Sequence, residues 1–268
     1  MQLFNFNNKN GTRKKWSNIA IAIVFPILVL VLWQYASTHG WLKPSLVPAP
    51  LTIWKTFMTY LENGKLWNNL SVSFERVFAG YLIGATAGIL VGFLMGLIRP
   101  INSALSGIVS VLRPIPTIAL VPIIILFYGI GFISKVAVIA IGSFWPVLLN
   151  TIHGIMNTDN KLIEVAYTYR IVKRKVIFRI VVPSAIPAAL TGLRLGMSNA
   201  WTSVVAAEMI ASSTGIGYLI NLSRETANTR VMYMCVLVIG AIGLMIDRGL
   251  TWMEHYYLRK TRGLVDQK

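Results

Sequence analysis

The feature that most constrains this chain is a set of long segments without Asp, Glu, Lys or Arg. Residues 16–42 form one such segment and residues 77–98 form another. An α-helix rises about 1.5 Å per residue, so about 20 apolar residues cross the hydrocarbon core of a bilayer. Only 13% of the residues are charged, which leaves too little polar surface to cover a soluble fold. The sequence therefore predicts an all-α integral membrane protein.

Six segments are long and apolar enough to form transmembrane helices. The first span covers residues 17–37, between an N-terminal segment (1–16) and a polar segment (38–75). A five-helix core follows over residues 76–250, with spans near 77–98, 103–128, 136–152, 184–210 and 231–250, and then a basic tail at 251–268. Pro114, Pro116 and Pro122 remove backbone donors from the third span, so we expect that helix to be interrupted.

The first span has the flanks of a signal peptide, because Arg13, Lys14 and Lys15 precede its apolar run. The run is long for a signal peptide, and no small-x-small cleavage site closes it. We therefore expect an uncleaved membrane anchor.

Glycine recurs at every fourth position of the second span. The stripe consists of Gly80, Gly84, Gly88, Gly92 and Gly96. Residues four apart lie on one face of a helix, and glycine lets another helix approach that face closely. The pattern predicts a helix–helix contact along the second span.

The formal net charge is +16, with 25 Lys and Arg against 9 Asp and Glu. The basic residues are concentrated in residues 1–16, in the loop 157–183 and in the tail 251–268. Cytoplasmic loops carry such an excess, so both termini and this loop are predicted in the cytoplasm and residues 38–75 on the extracytoplasmic side. This distribution explains the basic character without a nucleic-acid partner.

The chain shows no sequence pattern for catalysis or for a cofactor. It has no G-x-x-x-x-G-K-[ST] phosphate loop and no H-E-x-x-H metal motif. Cys235 is the single cysteine, and His39, His153 and His255 are far apart in sequence. We therefore predict a non-catalytic membrane subunit without a metal or cofactor of its own.

The loop 157–183 carries the most informative motif. Glu164-Val165-Ala166 is followed, after three residues, by Arg170 and, after nine further residues, by Ile180-Val181-Val182-Pro183. This resembles the signature of permeases of ATP-binding-cassette (ABC) importers: Glu-Ala-Ala, three residues, Gly, nine residues, Ile-x-Leu-Pro. The resemblance implies a coupling helix that docks in a groove of a cytoplasmic ATPase subunit.

Two residues depart from that signature. Val165 stands at the second alanine, which is a mild change, and Arg170 stands at the glycine. Glycine often marks a turn that needs a positive φ angle. Arg170 therefore indicates either a differently shaped turn or an additional salt link to the partner.

Further motifs between residues 47 and 250 resemble permeases for sulfonates, taurine and nitrate. They are Val47-Pro48-Ala49-Pro50, Leu112-Arg113-Pro114-Ile115-Pro116, Phe144-Trp145-Pro146, Leu193-Arg194, Ala200-Trp201, Ala206-Ala207-Glu208-Met209-Ile210 and Gly215-Ile216-Gly217-Tyr218. The resemblance implies a type I ABC importer fold in a bacterial cell membrane. It also implies cytoplasmic ATP-binding subunits that hold ATP-Mg, a second permease copy in a homodimer, and an extracytoplasmic substrate-binding protein.

Four residues of the fifth span and its end are candidates for the translocation pathway: Arg194, Asn199, Trp201 and Glu208. Arg194 lies within the span, where it would either attract an anionic substrate or pair with an acid or backbone carbonyls as a structural residue. Asn199 would form an interhelical hydrogen bond more readily than a substrate contact. Glu208 is expected near the outer end, at a gate or a docking contact, and too far from Arg194 to pair with it.

Two other classes of protein remain as alternatives. An ion-gradient-driven secondary transporter would need acidic residues in its spans, and Glu208 and Asp247 are the few candidates. A membrane-anchored assembly protein without transport activity would need neither a proline-broken span nor an arginine within a span.

Overall fold

The computed structural model describes the backbone of residues 10–263 and the side chains of residues 24–259, so the predicted N-terminal segment and the end of the basic tail lie mostly outside the described residues. Over this range the chain is helical and contains no strand. The helices are α1 (Asn10–Thr38), α2 (Pro50–Glu62), α3 (Lys65–Leu97), α4 (Arg99–Leu112), α5 (Thr117–Tyr128), α6 (Phe132–Met156), α7 (Asn160–Thr168), α8 (Lys173–Val176), α9 (Val182–Ala211), α10 (Ile216–Glu225) and α11 (Thr229–Gly263).

Four helical segments are long and apolar enough to cross a membrane: Lys65–Leu97, Phe132–Met156, Lys173–Ala211 and Thr229–Arg259. The bent pair formed by α4 and α5 makes a fifth candidate. The predicted first span falls on α1, whose described apolar part, Val24–Thr38, is shorter and exposes most of its large side chains. The prediction of an all-α protein with several membrane-spanning helices is confirmed.

The third predicted span is broken where its first two prolines lie. Helix α4 ends at Leu112, α5 begins at Thr117, and the two axes differ by 98°. Pro116 is the N-cap residue of α5, where a missing N–H costs little. The predicted interruption is confirmed, and the first residues of α5 lie beside α9.

The glycine stripe of α3 packs directly on α6. A Cβ on Gly80 would lie 2.6 Å from Ile139 Cβ, and one on Gly92 would lie 2.7 Å from Thr151 Cβ. At Gly84 an added Cβ would overlap the carbonyl oxygen of Ala140. The two backbones therefore touch, as the spacing of the glycines predicted.

Helix α6 also packs closely on α9, and here both helices contribute glycines. A Cβ on Gly154 of α6 would lie 2.8 Å from Ala185 O, and a Cβ on Gly192 of α9 would lie 2.7 Å from Asn150 Cβ. Val147 and Leu148, near the middle of α6, are completely buried. Helix α6 is thus the centre of an α3–α6–α9 unit, and this unit fixes the position of α9.

The two ends of the helical bundle are distinguished by the segments that lie there. The loop 157–183 lies at the end where α6 finishes and α9 begins, which we call the loop end. Helix α3 begins at the opposite end, where α9 finishes, which we call the far end. Helices α10 and α2 pack near α11 around a core cluster that includes Ile53, Val204, Ile216 and Met234.

Candidate functional site

The loop 157–183 folds into a short helix with a fixed start and end. Asp159 caps α7, because its carboxylate Oδ1 accepts a hydrogen bond of 2.9 Å from the backbone N–H of Lys161. At the other end the N–H of Ile171 donates to Ala166 O (3.0 Å) and the N–H of Arg170 donates to Tyr167 O (2.9 Å). These two bonds define a Schellman motif, which ends a helix with one left-handed residue.

Arg170 is that left-handed residue, with φ = 53°. It therefore has the backbone conformation that the glycine of the importer signature would adopt most easily. Within the described part of the chain, Arg170 forms no ion pair, and its side chain is exposed. The turn keeps its shape despite the arginine, at the cost of backbone strain at this position.

We expect Arg170→Gly to stabilise the loop by about 1 kcal/mol, because glycine removes the steric cost of a left-handed Cβ. Arg170→Val should destabilise it, since a β-branched residue fits this region poorly. Thermal unfolding of the purified permease measures both changes. Unfolding temperatures that follow the reverse order would contradict this account of the turn.

Helix α7 has one side against the body of the protein and one side free. Ala166 is only 2% exposed, and Ile163 packs against the core cluster formed by Ile155, Val181 and Ala185. On the other side Leu162 is exposed, and Val165 at the motif position is 54% exposed. The motif thus presents an apolar surface at the loop end of the bundle.

The loop continues without interruption into a membrane-spanning helix. Helix α8 leads through a π-helical turn, Ile177–Val181, into α9, so Lys173–Ala211 forms one helical segment. Ile180 lies in the π turn and Pro183 lies in the first turn of α9, where its missing N–H is tolerated. A displacement of α7 would therefore be transmitted to α9 through a short helical connection.

Arg194 lies half-buried between α9 and α11. Its Nη1 donates to Thr251 Oγ1 at 2.7 Å, and its Nε lies 3.4 Å from Glu254 Oε2 without a directed hydrogen bond. Both partners belong to α11. This geometry favours the interpretation of Arg194 as a residue that pairs with an acid and ties two helices together.

Glu208 is buried at the far end, where it joins α9 to α3. Its Oε1 accepts a hydrogen bond of 2.7 Å from Arg76 Nη1, and the exposed fractions of the two side chains are 0% and 9%. Ser73 Oγ is 2.9 Å from both carboxylate oxygens, and the backbone N–H of Gly217 donates to Oε2 at 3.0 Å. As expected, Glu208 pairs with a residue other than Arg194.

The same network holds the connection between α9 and α10. Arg76 Nη1 donates to Thr214 O at 2.9 Å, and its Nη2 donates to Thr214 Oγ1 at 2.9 Å. Gly215 adopts φ = 112°, and a Cβ there would overlap the Glu208 carboxyl group. Arg76 stands at the start of the predicted core 76–250, and no sequence motif pointed to this role. The acid in an otherwise apolar span was the available signal, because a buried carboxylate requires a partner.

Trp201 is part of the core and does not face a cavity. It is buried, its Nε1 donates to Ile239 O at 3.1 Å, and its ring stacks on Phe74 with centroids 5.3 Å apart. Asn150 of α6 also bonds to the protein itself, because its Nδ2 donates to Pro146 O of the same helix at 2.8 Å.

Asn199 instead lines a cavity of about 330 Å³ between α5 and α9. The lining residues are Thr117, Ile118, Asn199, Thr202, Ser203 and Ala206. Four of these six carry a hydroxyl or an amide, and none is charged. Of the four pathway candidates, Asn199 is therefore at a polar cavity, while Arg194, Trp201 and Glu208 contact other helices.

Among the described residues, no group of three or more His, Cys, Asp or Glu side chains is arranged to hold a metal ion. Cys235 is buried in the core cluster that also includes Trp201.

The arrangement of a helical bundle, a capped loop helix and a proline-broken span agrees with one protein family. Residues 84–257 match the family described as binding-protein-dependent transport system inner membrane component. The chain belongs to this family, and it is therefore a multi-pass inner-membrane permease component of an ABC importer.

Individual relatives cover nearly the whole chain. A putative ABC transporter permease protein of Methanocaldococcus jannaschii is 36% identical over 94% of this chain and 96% of its own length. A putative aliphatic sulfonates transport permease protein of Bacillus subtilis is 32% identical over 88% of this chain and 86% of its own length. A bicarbonate transport system permease protein of Synechococcus elongatus is 31% identical over 94% of this chain and 96% of its own length.

Solved structures share the fold at low sequence identity. A chain of an amino acid ABC transporter crystallised with histidines superimposes with a TM-score of 0.61 at 17% identity, over 76% of this chain and 98% of that one. This similarity confirms the fold of an ABC importer permease.

Proposed function

We propose that this chain and a second copy of it form the translocation pathway of an ATP-driven importer for a small anion. The observation that carries the proposal is the loop 157–183, in which an exposed apolar motif is joined by continuous helix to the pathway helix α9. A separate cytoplasmic subunit would hold ATP-Mg and hydrolyse it.

The exposed side of α7 fits a docking contact for that subunit. Leu162, Val165 and Tyr169 are exposed side by side at the loop end, while Ala166 fixes the helix to the bundle. Exposed apolar patches of this kind often mark contacts with other proteins. Here the partner is the ATPase, and its movement on ATP binding would reach α9 through the π turn.

The charge distribution supports an orientation with the loop end in the cytoplasm. Lys161, Lys173, Arg174, Lys175 and Arg179 all lie in the loop 157–183. By the positive-inside rule this loop is cytoplasmic. Both termini then lie on that side, and the far end receives substrate from an extracytoplasmic binding protein.

The substrate class is inferred from relatives. Those described above are named for aliphatic sulfonates and for bicarbonate, and a taurine transport permease of Escherichia coli is 28% identical over 91% of this chain. Alkanesulfonates, taurine, bicarbonate and nitrate are all small oxygen-bearing compounds with an anionic group. We propose a substrate from this class.

Val165→Arg tests the docking contact. A charge in the centre of the apolar patch should lower ATP-dependent uptake of the substrate at least about tenfold, as loss of a central interface residue does. Uptake into vesicles that contain the permease, the ATPase and the binding protein is the measurement, and co-purification of the ATPase with the permease should weaken in parallel.

Leu46→Arg is the matched control, because Leu46 is similarly exposed but lies at the far end. This variant should still co-purify with the ATPase subunit, and its uptake should still depend on ATP. Uptake that proceeds on an ion gradient without ATP, or full activity of Val165→Arg, would contradict the proposal.

A further inference from the structure

We propose that Lys135, near the start of α6 at the far end, is the centre of an anion-binding site that takes a small anion such as chloride or the anionic group of a sulfonate. The role of this site as a point of substrate entry rests on the proposed function, which puts the far end on the extracytoplasmic side. Anion binding itself follows from the charges at the site and is tested separately.

The contact between α3 and α6 brings Lys135 beside Arg76. A Cβ on Gly80 would lie 2.6 Å from Ile139 Cβ, and each later glycine of the stripe meets the residue four positions further along α6. The two helices therefore run in the same direction and in register. Arg76 and Lys135 are the next pair of this series, one helical turn nearer the far end. Two cations thus lie on the facing sides of these helices.

The acid of this cluster, Glu208, is already engaged by other groups. Its carboxylate accepts hydrogen bonds from Arg76, Ser73 and the backbone N–H of Gly217. The charges of Arg76 and Glu208 both act on the Lys135 ammonium group. Among the residues whose side chains the structure describes, Lys135 forms no ion pair and no hydrogen bond. The three side chains together carry an excess of one positive charge, and such a charge is costly to bury without a partner.

Lys135 is buried along its stem, but a small ion can reach its charged end. The residue is only 4% exposed, so its surroundings hold it in place. Its Nζ is not among the completely buried unpaired atoms of the described residues, so solvent reaches the ammonium group. Lys135 also lies close to the N-terminus of α6, whose first turn contains no acidic residue. The partial positive charge of a helix N-terminus disfavours a cation and favours an anion, so an anion at Nζ would offset both sources of repulsion.

Thermal unfolding of the full-length permease in detergent tests the site in the absence of ATP. Chloride or methanesulfonate replaces gluconate, an anion too bulky for so small an opening, at constant ionic strength. At ten times its dissociation constant the anion should raise the unfolding temperature by about 3 °C, because it binds the folded state and not the unfolded chain. Lys135→Met should abolish this rise, and Lys135→Arg, which keeps the charge, should retain most of it.

Lys65→Met is the matched control, because Lys65 is an exposed lysine of α3 at the same end of the bundle. It should respond to the anion as the unaltered permease does. A second measurement needs no variant, since a neutral acetylating reagent modifies lysines and peptide mass spectrometry compares Lys135 with Lys65. An anion at ten times its dissociation constant should slow acetylation of Lys135 about tenfold and leave that of Lys65 unchanged.

The two anions distinguish the sources of the ligand. A response to methanesulfonate alone would assign the site to oxyanions of the substrate class, and a response to chloride would assign it to small anions in general; either result supports the site. An equal temperature rise in Lys135→Met, or acetylation of Lys135 that neither anion slows, would overturn it. These measurements involve no ATPase, so failure of ATP-driven uptake would contradict the proposed function without affecting this result.

Discussion

Glu208→Gln should destabilise the permease by about 3–5 kcal/mol, which is the usual cost of breaking a buried ion pair by removing one partner. Glutamine is nearly isosteric and still offers one acceptor to Gly217 N–H or to Ser73 Oγ. It leaves the guanidinium of Arg76 buried with a single charge and no counter-ion. The free energy of unfolding of the purified permease, measured by denaturant titration in detergent, should show the loss directly.

The companion variant Arg76→Gln should cost a similar amount, because it also leaves Thr214 O and Thr214 Oγ1 without their donor. The double variant with Glu208→Gln should be less destabilised than the sum of the two single variants, since neither member of the ion pair is then left buried without its partner. Strict additivity would show that the two residues act independently and would contradict the network.

Glu225→Gln is a suitable control for these measurements. Glu225 accepts a hydrogen bond of 2.7 Å from Asn221 Nδ2 on the exposed surface of α10. Removal of its charge should change stability by no more than about 0.5 kcal/mol. A comparable loss in this control would mean that charge removal in general, and not burial of the pair, causes the effect.

The network of Glu208 and Arg76 also shows which features local sequence patterns can predict and which they cannot. Hydropathy identified the spans, because crossing a bilayer is a property of one continuous segment. The partner of Glu208 lies 132 positions earlier in the chain, and no local pattern connects it to Arg76. The packing of α9 against α3 through α6 decides this pairing, so only the tertiary structure reveals it.

Arg170 illustrates a prediction that depends on local geometry. The motif indicated a turn at this position, and the turn is present with the bonds of a Schellman motif. Its shape could not be predicted from the arginine, because the left-handed conformation is unfavourable for this residue and is imposed by the surrounding helices. The cavity at Asn199 is a similar case, since it depends on the 98° bend between α4 and α5, and the prolines predicted only that the span would be interrupted.

The glycine stripe of α3 is a place where the addition of a single methyl group should have a large effect. The spacing predicted a close helix contact but not its partner, which the structure identifies as α6. Gly84→Ala adds a single methyl group that would overlap the carbonyl oxygen of Ala140 and the Oγ of Ser143. A main-chain carbonyl of a packed helix has no rotamer by which to move away, so the helices must separate.

We therefore expect Gly84→Ala to lower stability by about 3 kcal/mol and Gly84→Leu to prevent accumulation of folded permease in the membrane. Gly240→Ala is the matched control, because a Cβ on Gly240 of α11 meets nothing within 4 Å. That change should be neutral or stabilise the helix by up to about 1 kcal/mol. Membrane-fraction yield and unfolding temperature distinguish the outcomes. A Gly84→Leu variant that folds and transports normally would mean that α3 and α6 do not pack through the stripe, and the α3–α6–α9 unit that positions the cavity would then require a different arrangement.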